Sequence, residues 1–249
     1  MSSRFLRFLS HLFVSEHNCL LCDRELPSPS RYRLCAPCYA TAFEVIGNKC
    51  CLKCGTMLLS EENYCLDCQN HDKVFDRAFS PVSYTGGAVK LVTGLKFYNK
   101  RYYAEPMAKW MTDRLLEEEI ACDLVLPIPL HPKRKKERGY NQSELLAEVI
   151  AEGLHLPLDL TSVVREKDTL ASTGLTGGRK AREENMKNAF RLTDKDAVRD
   201  KVVLVVDDVI TTGATSSEIA SVLKKGGARK VYVLTFASTR EKPPIQEGF

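Results

Sequence analysis

Apolar runs alternate with amphipathic stretches along most of the chain. Runs of apolar residues predict strands at 123–128, 160–165, 202–206 and 231–236. Apolar positions spaced three and four apart predict helices at 142–153 and 214–225, whereas the polar residues 174–188 are predicted to be flexible or helical. Strands that alternate with helices in this way indicate an α/β fold, in which helices cover both faces of a parallel sheet.

The pattern before residue 123 is less regular. Six apolar residues share one face of a predicted N-terminal helix that we expect to pack against the body: Phe5, Leu6, Phe8, Leu9, Leu12 and Phe13. The other predicted elements are a strand at 77–84, a turn at Gly86-Gly87 and helices at 88–95 and 104–116. Because the cysteine-rich pattern stops near Asp72, we place a domain boundary there, between a module at 1–72 and a domain at 73–249.

The composition is that of an ordinary globular protein, with 249 residues, 44% hydrophobic and 27% charged. No apolar run approaches the ~20 residues that cross a bilayer, and the apolar stretch after Arg7 ends without a signal-peptide cleavage site. We therefore expect a cytoplasmic protein with no stable membrane insertion. Disulfides are rare in a reducing compartment, so metal binding is the favoured use of the cysteines. The net charge of +4 is too small by itself to indicate a nucleic-acid partner.

The cysteines are strongly clustered, since nine of the ten lie between Cys19 and Cys68. Eight of them form four C-x-x-C pairs: Cys19/Cys22, Cys35/Cys38, Cys51/Cys54 and Cys65/Cys68. Two residues between thiolates let a tight turn aim both sulfurs at one ion, and two such turns complete a tetrahedral zinc site with Zn–S distances of ~2.3 Å. The chain is therefore predicted to hold two zinc ions. Because four thiolates leave no open position, both are predicted to be structural.

Several alternatives remain at these cysteines. A disulfide framework is one, although no secretion signal supports it. The turns can pair sequentially or in an interleaved order, and we favour sequential pairing because each half then closes its own loop. Cys50 is left out as a ligand because only its neighbour Cys51 keeps the two-residue spacing. His17 and His71 flank the cluster as substitute ligands, and Cys122 is interpreted as a small buried strand residue.

The charge of the cysteine-rich module argues against binding to nucleic acid. Residues 1–71 contain seven Lys or Arg and seven Asp or Glu, so the module is neutral. Phosphate backbones are usually bound by a basic surface. We therefore predict a scaffold or partner-docking role for the module, with a local patch at Arg31 and Arg33 as the alternative.

The most informative stretch runs from residue 202 to residue 215. Five apolar residues predict a central strand, and Asp207 and Asp208 follow at its carboxyl end. The next residues turn into a helix: Thr211, Thr212, Gly213, Ala214 and Thr215. Their N–H groups and hydroxyls, with the positive end of the helix, form a predicted anion cradle in which glycine allows close approach to a phosphate. Two carboxylates beside it suit sugar hydroxyls or a hydrated Mg²⁺, so the stretch predicts a phosphoribosyl ligand.

Other motifs fit this stretch less well. An apolar strand that ends in two acids resembles a Walker B element, but the chain has no G-x-x-x-x-G-K-[ST] sequence. It also has no G-x-G-x-x-G sequence for a dinucleotide. A purely structural turn is the remaining alternative, but such a turn has no need of two adjacent acids followed by three threonines.

The run DDVITTGAT at 207–215 resembles the phosphoribosylpyrophosphate (PRPP) signature of type I phosphoribosyltransferases. With the four C-x-x-C pairs, the chain resembles over nearly its full length the ComF family, bacterial competence-associated proteins with a double zinc ribbon. Further matches are Leu95-Lys96-Phe97, Pro127-Ile128-Pro129, the stretch 138–142, and the stretch 182–185 with Phe190 after it. The resemblance implies a type I phosphoribosyltransferase-like parallel sheet with an N-terminal four-cysteine zinc-ribbon module.

The resemblance also implies roles for individual residues. Asp207 and Asp208 would act as the catalytic pair that holds the ribose hydroxyls, and residues 211–215 would hold the 5′-phosphate. The loop from Pro129 through Arg134 would face the pyrophosphate. The residues support this last point, because a basic run lies beside that strand end: Lys133, Arg134, Lys135, Lys136 and Arg138. A solvated charged loop is the alternative interpretation of the run.

One segment departs from the pattern of the family. The family commonly has Gln three residues after Thr169, where this chain has Ser172. In type I enzymes the corresponding region resembles a mobile loop over the active site. Residues 170–180, rich in Gly, Ser and Thr, are therefore predicted to close over the site and exclude water.

Two functional hypotheses follow. The first is an enzyme that uses Mg²⁺ and transfers the phosphoribosyl group of PRPP to an acceptor that the sequence does not identify. The second is a non-catalytic adaptor that binds PRPP or a nucleotide and binds single-stranded DNA during DNA uptake, with the basic run as the DNA contact. The family resemblance implies a competence helicase-type protein as a further partner. Release of pyrophosphate separates the two hypotheses.

Overall fold

A computed structural model describes residues 17–169 and 178–239 of the chain. The predicted N-terminal helix at residues 5–13 lies outside the described residues, as does Ser172 with most of the predicted closing segment. The strands are β1 (Arg77–Phe79), β2 (Val82–Ser83), β3 (Leu124–Pro127), β4 (Val163–Arg165), β5 (Phe190–Leu192), β6 (Val202–Ile210) and β7 (Lys230–Ser238). The helices are α1 (Ala36–Ala42), α2 (Leu66–Asn70), α3 (Gly86–Phe97), a 3₁₀ turn (Arg101–Tyr103), α4 (Ala104–Leu116), α5 (Pro132–Arg138), α6 (Gln142–Leu154), α7 (Gly178–Met186) and α8 (Ala214–Lys225).

The main sheet is parallel, which confirms the predicted fold class. Its strands lie in the order β1, β7, β6, β3, and β2 also pairs with β7. The predicted strand at 77–84 is divided into β1 and β2. Pro81 lies between them and has no N–H group to give to a ladder.

The predicted strand at 160–165 forms only over β4 and does not join the parallel sheet. It pairs with β5 in an antiparallel ribbon, in which Val164 lies opposite Arg191. Neither β5 nor this pairing was predicted from the sequence. Both strands are three residues long and half-exposed, so they lack the continuous apolar run of a strand that is buried on both faces.

The sheet separates two hydrophobic clusters, because successive residues of a strand point to opposite faces. Leu204 and Val206 of β6 belong to the first cluster, which contains the buried faces of α3, α4 and α6. Val203 and Val205 belong to the second cluster, which contains the buried face of α8. The five apolar residues of β6 are therefore buried on both sides, as the sequence predicted for a central strand.

The cysteines form two compact groups, which we call the first knuckle (Cys19, Cys22, Cys35, Cys38) and the second knuckle (Cys51, Cys54, Cys65, Cys68). Short helices begin directly after Cys35 and Cys65. The first knuckle packs into the first hydrophobic cluster and the second knuckle into the second. The cysteine-rich module thus contributes to the core on both faces of the sheet, and the boundary at 72/73 stays a prediction.

The basic run after β3 forms helix α5 rather than the expected loop. Pro132 lies at the start of the helix, and the His131 side chain accepts a hydrogen bond from the Lys133 N–H. Gly139 ends the helix in a left-handed conformation with φ of 80°. None of the helices within 17–169 and 178–239 is both long and apolar enough to cross a membrane.

Candidate functional site

A cleft of about 840 Å³ opens at the carboxyl ends of β3 and β6. Its lining includes the end of α3, helix α5, the start of α6, the end of β6 with the 211–215 loop, and α7. This position agrees with the general rule that parallel sheets bind ligands beyond the carboxyl ends of their strands. The cleft therefore contains the predicted site.

The 211–215 loop has the geometry of an anion site. Gly213 is the residue before α8 and has a φ of 72°, a left-handed conformation that favours glycine. A Cβ atom at this position would also lie 3.2 Å from the Phe75 ring. Because glycine has no side chain to cap α8, the first N–H groups of the helix stay available to an anion at its positive end.

The two acids of β6 have different surroundings. The strand continues to Ile210, so Asp207 and Asp208 lie within it rather than after it. Asp207 is half-buried, and its Oδ1 accepts a hydrogen bond of 2.8 Å from the Ser143 hydroxyl. Asp208 is buried, and its Oδ1 lies 2.8 Å from the Lys96 ammonium. Both carboxylates line the cleft.

These surroundings shift two pKa values. Burial, with the neighbouring charge of Asp208, raises the pKa of Asp207 to about 6, against the opposing effects of Lys96 and Ser143. Burial alone would lower the pKa of Lys96, but the charges of Asp208 and Asp207 outweigh it and raise the pKa. Lys96 is thus a fixed positive charge that partly neutralises the acidic pair.

One buried acceptor at this pair is unsatisfied. Oδ2 of Asp208 is buried and has no hydrogen-bond partner within the described part of the chain. Leaving such an acceptor without a donor costs free energy. A ligand that brings hydroxyl groups or metal-bound water would donate a hydrogen bond to this oxygen. The two carboxylates therefore fit a sugar diol or a hydrated Mg²⁺.

The lining of the cleft is basic on balance. Among the described residues that line it, five are basic and three are acidic: Lys96, Arg134, Arg138, Arg165 and Arg182, with Glu137, Asp207 and Asp208. Burial and the nearby charge of Arg134 lower the pKa of Arg165. A buried guanidinium whose charge is disfavoured in this way would be stabilised by a polyanion bound beside it.

The described structure places most of the predicted binding residues at the cleft. All five residues of the 211–215 loop line it, as do Arg134 and Arg138. Pro129 lies between the lining residues Ile128 and Leu130 and is not itself part of the lining. Lys133, Lys135 and Lys136 lie on α5 outside the lining.

Several residues of the lining were not predicted as site residues from the sequence, and four of them bear on its chemistry: Lys96, Ser143, Arg165 and Arg182. Lys96 and Arg182 lie in stretches that match the family, which is a usable signal. Ser143 follows the Asn141 that caps α6 and reaches Asp207 only because α6 packs beside β6. For Arg165 the sequence contains no signal, because the residue ends a short strand of mixed character.

The two knuckles have the geometry of zinc sites. The four sulfur atoms of each group lie within 4.8 Å of one another. The distance from Cys22 to Cys35 Sγ is 3.7 Å and that from Cys54 to Cys65 Sγ is 3.6 Å. A tetrahedron with Zn–S bonds of ~2.3 Å has edges of about 3.8 Å, so the groups match a zinc ion. The sequential pairing is confirmed, and Cys50 lies outside both groups.

Comparisons with known proteins match both parts of the chain. The family model "Double zinc ribbon domain" matches residues 9–69, and "Phosphoribosyl transferase domain" matches residues 141–246. DNA utilization protein YhgH of Salmonella typhimurium is 30% identical over 226 residues, which cover 89% of this chain and 96% of that protein. Competence protein F of Haemophilus influenzae is 31% identical over 189 residues, 74% of this chain and 82% of that protein. Competence protein ComFC of Streptococcus pneumoniae is 29% identical over 229 residues, 86% of this chain and 96% of that protein.

Proposed function

The chain belongs to the ComF family of competence and DNA utilization proteins, and we propose that it binds PRPP with Mg²⁺ in the cleft and transfers the phosphoribosyl group to an acceptor. The observation that carries this proposal is the buried, unsatisfied Oδ2 of Asp208 beside the 211–215 loop. A buried acceptor next to an anion site calls for a ligand with hydroxyl donors close to a phosphate. A phosphorylated ribose has both.

Each part of the cleft suits one part of PRPP. The N–H groups at the start of α8 and the threonine hydroxyls suit the 5′-phosphate. Asp207 and Asp208 suit the 2′- and 3′-hydroxyl groups, which donate hydrogen bonds to carboxylates. Arg134, Arg138 and Arg165 also line the cleft, and their guanidinium groups suit the pyrophosphate.

Mg²⁺ is proposed to enter with the ligand, where it would offset the charge of the pyrophosphate and raise its ability to leave. The protein residues that would meet the hydrated ion are Asp207 and Asp208. Asp207 has one oxygen engaged by Ser143 and by the Asp208 N–H, which leaves its second oxygen for the ligand. These acceptors fit a cation that keeps most of its water.

The proposed reaction is a substitution at C1 of the ribose. The electrons of the C1–O bond leave with pyrophosphate, a lone pair of the acceptor forms the new bond to C1, and the acceptor loses a proton. Positive charge develops on the sugar during this step, close to the carboxylates of Asp207 and Asp208. The protein would act through orientation and electrostatics, by holding the diol, the phosphate and the pyrophosphate in place.

Binding is tested by titration calorimetry of PRPP with and without Mg²⁺. We expect a Mg²⁺-dependent affinity that falls by at least about tenfold, or 1.4 kcal/mol, in Asp208→Ala, because each hydrogen bond to a charged group contributes on this scale. Asp196→Ala is the matched control, since Asp196 is an exposed acid paired with Arg199 outside the cleft. If the parent protein shows no binding, or if both variants bind as the parent does, the proposal is wrong.

A non-catalytic adaptor that binds single-stranded DNA is the second candidate. The observation in its favour is the basic helix α5 beside the cleft, near the exposed aromatic side chains of Phe97 and Tyr98. Basic residues next to stacking surfaces are typical of proteins that bind single strands. However, Lys133 and Arg134 lie near Asp168, and Lys135 pairs with Glu144, so part of the positive charge is neutralised.

The two candidates give different results in two assays. For the adaptor, we expect affinity for an oligonucleotide to fall steeply with salt and with Lys133→Gln/Lys136→Gln, with no pyrophosphate release. For the enzyme, we expect release of pyrophosphate from PRPP in a screen of nucleobases and DNA as acceptors. DNA binding that does not respond to salt would contradict the adaptor.

A further inference from the structure

A single carboxylate beside the second knuckle contacts two basic side chains that connect to separate parts of the cleft lining. Asp67 lies on the short helix α2, between the zinc ligands Cys65 and Cys68. Its Oδ2 accepts from the Lys73 ammonium at 2.5 Å, and its Oδ1 accepts from the Arg179 guanidinium. Lys73 contacts the 211–215 loop, and Arg179 is a residue of α7.

Lys73 holds the backbone of the 211–215 loop. Its side chain is 1% exposed, and its Nζ donates to the backbone carbonyl of Thr212 at 2.6 Å. In a trans peptide the carbonyl of one residue and the N–H of the next point in opposite directions. Fixing the Thr212 carbonyl toward Lys73 therefore fixes the N–H of Gly213, a residue of the cleft lining, away from Lys73.

Phe75 packs against the same loop at Gly213. It is fully buried in the hydrophobic cluster that contains Cys51, Cys54 and Cys65. The ring lies so close to Gly213 that a Cβ atom there would be 3.2 Å from it. The loop is thus held by a hydrogen bond at Thr212 and by packing at Gly213, and both contacts belong to the surroundings of the second knuckle.

Helix α7, another part of the cleft lining, contacts the same carboxylate through Arg179. Arg179 lies in the first turn of α7 and also pairs with Glu183. Arg182, Asn185 and Met186 of this helix line the cleft. Because Asp67 binds Arg179 and Lys73 together, it links α7 to the 211–215 loop through the second knuckle.

We propose that the second knuckle positions the phosphate-binding loop, with Asp67 and Lys73 as positioning residues, and that the first knuckle does not. The assignment of a phosphate to this loop rests on the proposed function. The positioning of the loop by Asp67 and Lys73 does not depend on that function. The first knuckle lies at the other hydrophobic cluster, and its ion pair from Arg31 to Asp113 reaches α4 rather than the cleft.

The test measures amide hydrogen exchange of the peptide 209–217 in the full, zinc-loaded chain without ligand. The variants are Lys73→Met, which keeps the length of the side chain without its charge, and Asp67→Asn. We expect both to speed exchange of the Ser217 amide, which donates to the Gly213 carbonyl at 2.8 Å, by about tenfold, since one hydrogen bond to a charged group contributes about 1.5 kcal/mol or more. Asp113→Asn is the matched control, because it breaks the corresponding ion pair of the first knuckle.

A second readout is the affinity for PRPP with Mg²⁺, alongside the zinc content and the Tm. We expect affinity to fall about tenfold in Lys73→Met while two zinc ions per chain remain. Unchanged exchange of the Ser217 amide, or an equal increase in Asp113→Asn, would overturn the positioning role. A parent protein that does not bind PRPP would defeat the proposed function alone, because the exchange comparison needs no ligand. If Lys73→Met does not fold, the exchange measured in Asp67→Asn decides whether the second knuckle positions the loop.

Discussion

Asp207 and Asp208 are adjacent in the chain, but their charges have different effects on the stability of the folded state. Asp208 pairs with Lys96 at 2.8 Å, so its charge is compensated. Among the described residues, Asp207 accepts hydrogen bonds from the Ser143 hydroxyl and the Asp208 N–H, and its pKa is raised to about 6 in spite of the nearby charge of Lys96. A carboxyl whose pKa is raised by burial and by a like charge destabilises the folded state when it ionises.

This difference predicts opposite effects of two conservative substitutions. Between its ordinary pKa and about 6, Asp207 binds more proton in the folded state than in the unfolded state, so its contribution to stability decreases as the pH rises through this range. We expect Asp207→Asn to raise the Tm at pH 8 by roughly 2–4 °C. The gain should shrink as the pH is lowered below about 6, and it should vanish below the ordinary pKa of an aspartate, where Asp207 is neutral in both states. Thermal unfolding of both proteins across this pH range measures the effect.

Asp208→Asn is the matched control and is expected to act in the other direction. It leaves the partly buried Lys96 without its compensating charge and should lower the free energy of unfolding at pH 8 by about 2 kcal/mol. Both substitutions are expected to weaken the binding of PRPP. A Tm that falls in Asp207→Asn would contradict the assignment of an unfavourable charge to this residue.

At the scale of elements, the two knuckles share a ligand set but differ in access to solvent. In the first knuckle Cys22 is exposed and Cys38 is half-buried, whereas in the second knuckle only Cys68 is half-buried and the other three are buried. The second knuckle is also covered by β1, because the Ala78 N–H donates to the Lys53 carbonyl within the knuckle. A chelator or an alkylating reagent therefore reaches the first knuckle more easily.

We predict that the zinc of the first knuckle leaves first. During slow chelation, mass spectrometry of the intact protein should show a one-zinc species before the metal-free species. Alkylation of that species should modify Cys19, Cys22, Cys35 and Cys38 while the cysteines of the second knuckle stay protected. Modification of the second knuckle first, or loss of both ions in one step, would contradict the order of exposure.

At the scale of the whole molecule, the cysteine-rich module contributes to the core. Trp110 of α4 stacks on Tyr32 and Tyr39 of the module, with ring centroids 4.7 and 5.2 Å apart, and meets Phe43 edge-on. On the other face of the sheet, Phe75 is buried beside the second knuckle. Removing the module would expose aromatic side chains on both faces.

The chain is therefore expected to fold as a unit. We predict that a fragment of residues 73–249 shows no cooperative thermal unfolding and binds a hydrophobic dye, because both hydrophobic clusters lose partners. The full zinc-loaded chain is the control and should unfold cooperatively. A fragment that melts as sharply as the full chain would instead show that the domain boundary at 72/73 separates independent folding units.

The sequence by itself determined the elements and the chemistry that depend on local order. The spacing of eight cysteines predicted two zinc sites, since a C-x-x-C turn is a local structure. The apolar run before Asp207 predicted a buried central strand, and the residues after it predicted the start of a helix with its anion site. These features could be read because the residues that form them lie within about one turn or one strand of each other.

Only the tertiary structure decided which distant groups meet. Lys96 and Ser143 reach the acidic pair from α3 and α6, and Lys73 reaches Thr212 across 139 positions of the chain. The pairing of β4 with β5 and the packing of the knuckles on opposite faces were also beyond the sequence. The physical reason is that burial, pKa and ion pairing depend on neighbours in space. The packing of helices on the two faces of the sheet, rather than local sequence order, sets those neighbours.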